Sequence, residues 1–598
     1  MSAQLPILPV YIEDGTESVF GLFHEAAADS PEATAILICP PFGWDDICSY
    51  RSRRDWAEQL AAAGHPTLRI DLPGTGDSSG SSREEGQLSA WTRAVVCSAQ
   101  WLHDTTASDR VAVIGIGLGG LVICKAISEG APIDEVVLWG VPARGHTFVR
   151  ELHTFSRLED TGLNEREEVE QSRVPEGSTW AGGFLLSAET TQALEKLDVS
   201  ELAIPPERVS RALLLDRDGI SPDARLHEHL TQAGAEVTIA PGTGYGAMMA
   251  KPHLARSPND VFTQVLTWVE QPSLRATPAR SQERLVSKHR DLRISDTLEL
   301  SIAGTPIRET PLTVEQPFGQ LFGILAEPID ADPGAPCMIM LNAGAIRRVG
   351  PNRMWVEIAR RWAVQGVPTL RVDLEGIGDA DGSAESFTEL EAFYAPQLVD
   401  QVCAVIDTLE ARGLGHRFIL CGLCSGACWA FHGALRDERV SAAFMLNPRT
   451  LFWDPSLDTV RDYRRGLLRP SSWRSVLRGE VPLSRILALL LRAPLVLPQR
   501  AITRWYARRT GGDEFDRALD QLRDNGKHLQ FLFSDNEPLR EELEQEGRLD
   551  QSDRWPNVDI DFLPGRVHTL RPIPSQRTAH EALDRALERE LQRTYALK

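Results

Sequence analysis

The stretch GHPTLRIDLPGTGDSSGS, residues 64–81, returns at residues 366–383 as GVPTLRVDLEGIGDADGS, which is 302 positions further along the chain. The same spacing pairs VFGLFHE, from Val19, with LFGILAE, from Leu321, and Arg51 with Arg353, without a gap. Similarity that holds register over so long a span marks a duplication, and the repeated unit then decides the architecture. Each copy runs in one order. Extended segments lead to an apolar strand (TAILICPPFGW from Thr34, CMIMLNAGAIR from Cys337), an amphipathic helix follows, and a buried strand ends in Asp-Leu before a Gly/Ser-rich loop. Another helix precedes a second apolar strand with a sharp glycine turn, RVAVIGIGLGG from Arg110 or RFILCGLCSGA from Arg417. Strands of this kind alternating with helices predict an α/β fold, with a mostly parallel sheet flanked by helices in each copy.

The length of 598 residues exceeds what one hydrophobic core supports, in keeping with two large domains. The polar, non-periodic segment PSLRATPARSQERLVSKHR reads as the connection between them. The expected boundaries are a first domain over 1–272, a linker over 273–292 and a second domain over 293–598. A duplication of this kind fits two lobes in pseudo-symmetric contact, as in a fused homodimer, and equally two independent domains. The oligomeric state is unknown from sequence.

An apolar fraction of 42% and a charged fraction of 25% are those of a folded globular protein. The net charge of -21 argues against nucleic acid as the main partner. The N-terminal stretch lacks the basic, apolar and small-residue order of a secretory signal. The most apolar run, ILALLLRAPLVLP, is broken by Arg492 and two prolines, so no membrane span and a cytoplasmic location are expected. Nine cysteines, an odd number, point to free thiols in a reducing compartment.

The two glycine turns differ at their centre. One reads Gly422-Leu423-Cys424-Ser425-Gly426, the other Gly115-Ile116-Gly117-Leu118-Gly119. A G-x-nucleophile-x-G turn between strand and helix exposes its central side chain at a helix N-terminus, because glycines flank it where bulk would clash. With these turns in place, both halves resemble α/β-hydrolase domains with a helical lid insertion, over nearly the whole chain. NAGAIRRVGPNR, LRVDLEGIGD and GRVHTLRP resemble a bacterial subgroup of these hydrolases associated with biosynthetic pathways.

The resemblance implies the chain order nucleophile, acid, histidine. Cys424 is the candidate nucleophile, and His568, in DIDFLPGRVHTLRP, is the candidate base. The acid falls in SDNEPL, where Asp535 and Glu537 both qualify and Glu537, just before a proline, is the closer match. Either carboxylate could orient the imidazole. The oxyanion hole implied by the fold uses the N–H of Ser425 and one from Ala343 or Gly344 in LNAGAIRR, a stretch that otherwise reads as a tight turn. In the first domain Gly117 occupies the nucleophile position and Tyr245, in APGTGYGAMM, falls opposite His568. Pro40 and Pro41 stand in the oxyanion loop without N–H groups, and Asp216 or Asp218 retains the acid position. His253 is the candidate for a displaced histidine. The first domain is therefore expected to be a non-catalytic copy that supports, caps or recruits.

A cysteine at a helix N-terminus beside a histidine favours thiolate, and its acyl-enzyme would be a thioester, which amines and thiols attack readily. Cys421, Cys424 and Cys428 also form C-x2-C-x3-C, but strand, turn and helix would point them apart and no fourth ligand is evident. No metal and no cofactor are expected. An inert buried cysteine is the other bland reading. A lid over about 455–525 carries twelve arginines between residues 461 and 509 against Asp462 and Glu480. It reads either as a solvated basic face or as a docking surface for a phosphopantetheine arm, coenzyme A or an acidic carrier protein. The leading expectation is acyl transfer or thioester cleavage through Cys424 with an acyl-thioester substrate. A stand-alone ester or amide hydrolase and a non-catalytic binding protein are the alternatives.

Overall fold

The computed structural model describes residues 7–13, 15–27, 33–160, 174–206, 208–271, 293–330, 332, 334–453, 513–549 and 553–596. The first half supplies strands β1 (Ile7–Glu13), β2 (Ser18–His24), β3 (Thr34–Cys39), β4 (Thr67–Ile70), β5 (Arg110–Ile116) and β6 (Glu135–Trp139). A hairpin, β7 (Thr179–Ala181) and β8 (Phe184–Leu186), is followed by β9 (Arg211–Leu215), β10 (Glu236–Ala240) and β11 (Arg293–Ser295). The second half supplies β12 (Leu298–Ile302), β13 (Thr305–Gln316), β14 (Gly319–Pro328), β15 (Cys337–Met340) and β16 (Thr369–Asp373). It continues with β17 (Phe418–Leu423), β18 (Val440–Leu446), β19 (His528–Phe533) and β20 (Val558–Phe562).

These strands form two nine-stranded sheets, ordered β10-β9-β6-β5-β3-β4-β2-β1-β11 and β12-β13-β14-β16-β15-β17-β18-β19-β20. In each, the strands from β4 or β16 onward are parallel, and the strand before the swap, β2 or β14, joins antiparallel. Strands β3 and β15 are buried at every position, because helices cover both faces of the sheet and leave no solvent side to select polar residues. The architecture is that of two tandem α/β domains, each a mostly parallel sheet flanked by helices, as the alternation of strands and helices in the sequence predicts. In the first domain a helix (Gly145–Asp160), the β7–β8 hairpin and a second helix (Ala188–Lys196) are inserted between β6 and β9. The segment read as the linker, and residues 454–512 of the segment read as the Arg-rich lid, lie outside the described residues. The remainder of that lid interval contains the helix Glu514–Asp524.

One short strand crosses between the halves. Arg293–Ser295, placed by sequence at the start of the second domain, pairs with β1 and so extends the first sheet, and the second sheet begins at Leu298.

The two domains meet face to face through the repeated segments themselves. Arg51 donates to the carbonyls of Ala380 (3.0 Å) and Gly382 (2.9 Å). Its repeat partner Arg353 donates to Gly76 (2.8 Å), Ser78 (2.6 Å) and Gly80 (2.7 Å) in the other copy of the same loop. Arg69 pairs with Asp379 at 2.9 Å, and its counterpart Arg371 pairs with Asp77, the counterpart of Asp379. The contact is thus isologous, the pattern of a two-fold dimer made within one chain. Tyr11, Phe20 and Leu22 pack with Leu298, Phe322 and Ile324 in an apolar patch that spans both domains.

At the centre of the junction Arg348 is fully buried and reaches Asp77 (2.7 Å), Asp373 (2.8 Å) and Asp379 (2.6 Å). Arg347 beside it holds Asp71 at 2.9 Å and lies over the Tyr50 ring, 3.8 Å from its centroid. Burial works against the charged forms of Asp77 and Asp379, yet the surrounding arginines hold both below the usual carboxylate range. Removing one member of a buried network strands the others without water. Arg348→Ala is therefore expected to cost about 3–5 kcal/mol. By calorimetry its unfolding temperature should fall by at least roughly 6 °C, whereas Arg308→Ala, which breaks the exposed pair with Glu299, should change stability by no more than about 1 kcal/mol.

Candidate active site

Strand β17 runs into the helix Ser425–Arg436 through a turn too tight for side chains on either flank. A Cβ on Gly422 would fall 2.2 Å from the backbone of Gly426, and one on Gly426 would fall 2.2 Å from the carbonyl oxygen of Asn342. The turn forces Cys424 into the left-handed region, at φ 60° and ψ -115°, a conformation a cysteine holds only when its surroundings impose it. The thiol is thereby presented at the helix N-terminus.

His568 reaches this thiol from the loop between β20 and the C-terminal helix Ile573–Ala596, and the two side chains are hydrogen-bonded. On its other side the ring Nδ1 lies 2.9 and 3.0 Å from the two carboxylate oxygens of Glu537, which is buried at the end of the β19 loop. Asp535 faces elsewhere. Its carboxylate accepts from the Gly565 N–H (3.3 Å) and from Arg540 (3.1 Å), bracing the loop that leads to the histidine. Of the two candidate acids, then, the structure brings Glu537 and not Asp535 to the imidazole.

Burial alone would raise the Cys424 thiol. The charge of His568, its hydrogen bond and the Ser425 N–H outweigh burial and hold the thiol below its ordinary value. The imidazole shifts the other way: burial opposes its charge, but Cys424 and Glu537 raise it. The two opposite shifts favour the thiolate–imidazolium form of the pair. Cys421 and Cys428 differ, since burial raises both, Cys428 to about 12. Cys421 lies in β17, and the Cys428 thiol donates to the Leu451 carbonyl at 3.5 Å, so the C-x2-C-x3-C spacing does not converge. Among the described residues no group of three His, Cys, Asp or Glu could hold a metal ion.

The N–H of Ser425 bonds the Cys424 sulfur, and the Gly344 N–H donates to the Ser425 hydroxyl at 3.2 Å. Ala343 instead closes a small turn, its carbonyl accepting from Ile346. Three asparagines fix this geometry. Asn342 donates to the Ile346 carbonyl (3.1 Å) and to Asp373 (2.8 Å), pinning the Gly344 turn. Asn447 donates to the Ser534 hydroxyl and the His568 carbonyl, both at 2.9 Å. Asn352, at φ 55°, donates to the Leu570 carbonyl at 3.1 Å. Their only sequence signal was asparagine in a turn, two of them before proline or after it.

In the first domain Gly117 keeps the turn, at φ 54° and ψ -119°, with no side chain to present. The Tyr245 hydroxyl lies 3.7 Å from where a Gly117 Cβ would sit, so tyrosine fills the place that histidine takes in the other copy. Asp216 accepts from Gly242 (3.0 Å), as Asp535 does from Gly565, while Asp218 accepts from Gly246 (2.7 Å) beside Tyr245. His253 packs against Phe393 of the second domain, ring centroids 6.5 Å apart.

No family model matches the chain, and no curated protein matches it. Solved structures do. An esterase of Pyrococcus furiosus is 16% identical, covering 46% of this chain and 90% of its own, with a TM-score of 0.29. Est1E from Butyrivibrio proteoclasticus is 13% identical over 47% of this chain and 99% of its own, TM-score 0.30. A dienelactone hydrolase from Anabaena variabilis is 12% identical over 46% of this chain and 94% of its own, TM-score 0.29. Each covers less than half of this chain. Among the described residues no helix is long and apolar enough to cross a membrane.

The thiolate form of Cys424 should show in its chemistry. Because the thiol is held low, iodoacetamide should alkylate Cys424 ahead of the other cysteines at about pH 6.5, well below the ordinary cysteine value of about 8.5. In His568→Ala the rate-against-pH curve, followed by peptide mass spectrometry, should move upward in pH. A curve unchanged by that substitution would remove the ion pair.

Proposed function

We propose that the second domain is an acyl-transferring or thioester-cleaving enzyme in which Cys424 is the nucleophile, His568 the proton carrier and Glu537 the group that orients it. The observation that supports this most is the continuous contact from thiol to imidazole to buried carboxylate, set at a strained turn. The thiolate attacks the carbonyl carbon of an acyl-thioester, and the oxyanion that forms is received by the N–H groups of Ser425 and Gly344. Collapse of that intermediate expels the donor thiolate, which takes the proton from the imidazolium of His568. An acceptor amine, thiol or water then attacks the Cys424 thioester, gives its proton to His568 and leaves Cys424 as thiolate again.

The donor is a carrier-protein or coenzyme A thioester in a biosynthetic pathway, a reading that rests on the arginine-rich segment and on the sequence resemblance. The first domain, over residues 1–272, is non-catalytic. The nine cysteines are all free, which fits work in the reducing cytoplasm. A stand-alone hydrolase is the second reading, and the thiol nucleophile favours transfer over it, since thioesters react readily with amines and thiols.

Intact-mass measurement after incubation with a panel of acyl-coenzyme A and acyl-pantetheine thioesters tests the assignment. One acyl adduct on the wild-type chain, absent from Cys424→Ala, is expected, and an equal adduct on both would overturn it. Glu537→Gln should slow acylation by roughly 10²–10⁴. Adding an amine or thiol then separates the two readings: faster loss of the adduct marks transfer, and an unchanged rate marks hydrolysis.

A further inference from the structure

The chain leaving His568 is strained. Leu570, two residues on, is fully buried at φ 53°, a left-handed conformation that a leucine keeps only where its surroundings impose it. What imposes it comes from both halves of the chain. In the second domain Asn352, buried just before the helix Met354–Val364, donates to the carbonyls of Thr569 (3.4 Å) and Leu570 (3.1 Å). The first domain contributes the β7–β8 hairpin, whose tip is Gly182 and Gly183.

That tip closes on the asparagine without spare room. A Cβ on Gly183 would fall 2.1 Å from Asn352 Oδ1, a buried atom with no hydrogen-bond partner among the described residues. The tip thus leaves the amide no room to swing away from the Leu570 carbonyl. The Gly183 carbonyl also accepts from Gln576 at 2.8 Å. Gln576 in turn donates to the Arg571 carbonyl (2.7 Å) and accepts from Arg83 of the first domain (3.3 Å). Ile573, between Arg571 and Gln576, packs on Trp180 and Leu185 of the same hairpin. A mirror contact runs the other way, where His253 and Arg256, beyond Tyr245, rest on Phe393 and Thr388 of the second domain. Each half braces the other's loop, as an isologous contact requires, and only one of those loops bears a histidine at the elbow.

We propose that the first domain is a positioning partner for the site of the second: its hairpin tip at Gly183 sets the loop that keeps His568 on Cys424, and the site is incomplete without it. The proposal rests on the assignment of Cys424 and His568 as the working pair. Gly183 touches no reacting atom and acts through Asn352 and Gln576.

Gly183→Ala tests this in the full chain, with Gly130→Ala as its control. The two glycines have φ 91° and 94°, so alanine strains both alike, but a Cβ on Gly130 meets nothing within 4 Å. The curve of iodoacetamide alkylation of Cys424 against pH should move upward for Gly183→Ala, because an imidazolium displaced from the thiolate no longer lowers the thiol. Acylation by 4-nitrophenyl acetate should slow by roughly 10²-fold at saturation, the cost of a displacement of about 1 Å, with the half-saturating concentration unchanged. Gly130→Ala should match the wild type in both. If Gly183→Ala fails to fold by calorimetry, Gln576→Leu, which fills similar space but donates to neither carbonyl, should show the same two changes. A curve that coincides with the wild type, or a slower rate with an unmoved curve, would overturn the role of the first domain and leave the Cys424–His568 pair in place. A wild-type curve already at the ordinary cysteine value would remove the pair, and the proposal with it.

Discussion

Arg348 holds three carboxylates from two domains in one buried cluster, and the rest of the structure is arranged around that fact. A fully buried guanidinium must be matched on every side, because water is not there to take up an unpaired charge. The repeat shows how the match arose. Arg69 with Asp379 and Arg371 with Asp77 are one pair made twice, as is the hold of Arg51 and Arg353 on opposite glycine loops. At the next repeat position the symmetry breaks, for Asp45 and Asp46 in one copy correspond to Arg347 and Arg348 in the other. Two arginine-bearing halves facing each other would bring four buried cations together, and two aspartate-bearing halves would lack them. The reversal therefore favours unlike halves in contact and works against pairing of like halves.

The same network reaches the candidate site from both sides. Asp373, bound by Arg348, also receives Asn342, which pins the turn carrying Gly344. From the other direction the β7–β8 hairpin of the first domain wedges its Gly182–Gly183 tip between Trp44 and Asn352, and Asn352 holds the loop just after His568. Gln576 donates to the Gly183 carbonyl at 2.8 Å, and Arg571 lies over the Trp44 ring. A copy without a nucleophile thus supports both the Gly344 turn and the histidine loop of its partner.

The sequence made much of this legible where the signal was local. Fully apolar strands, helix periodicity and glycine turns are set by neighbours in the chain, so the two sheets and both elbows could be read directly. His568 and Glu537 were readable only through the chain order nucleophile, acid, histidine that the resemblance implies. Asp535 and Glu537 are both carboxylates in one loop, and what separates them is Asn536 at φ 62°, which turns the chain between them. The partners that Arg347 and Arg348 find across the junction, Asp46, Asp71 and Asp77, had no such signal, since they lie in the other half of the chain and charge alone does not specify which half supplies them. The pairing of Arg293–Ser295 with β1 was hidden for a similar reason, an open strand edge being a property of the folded sheet.

The two elbows show how one turn is held with a side chain at its centre and without one. Both hold their central residue in nearly the same left-handed conformation, Gly117 at φ 54° and Cys424 at φ 60°. For a residue with a Cβ that conformation costs of the order of 1–3 kcal/mol, and glycine removes the cost. Glycine at that position is free of the strain, and in the first copy Tyr245 closes the space above it. That Cys424 has kept both the strain and a thiol held low by His568 is a physical reason to place the chemistry there, independent of any likeness between chains.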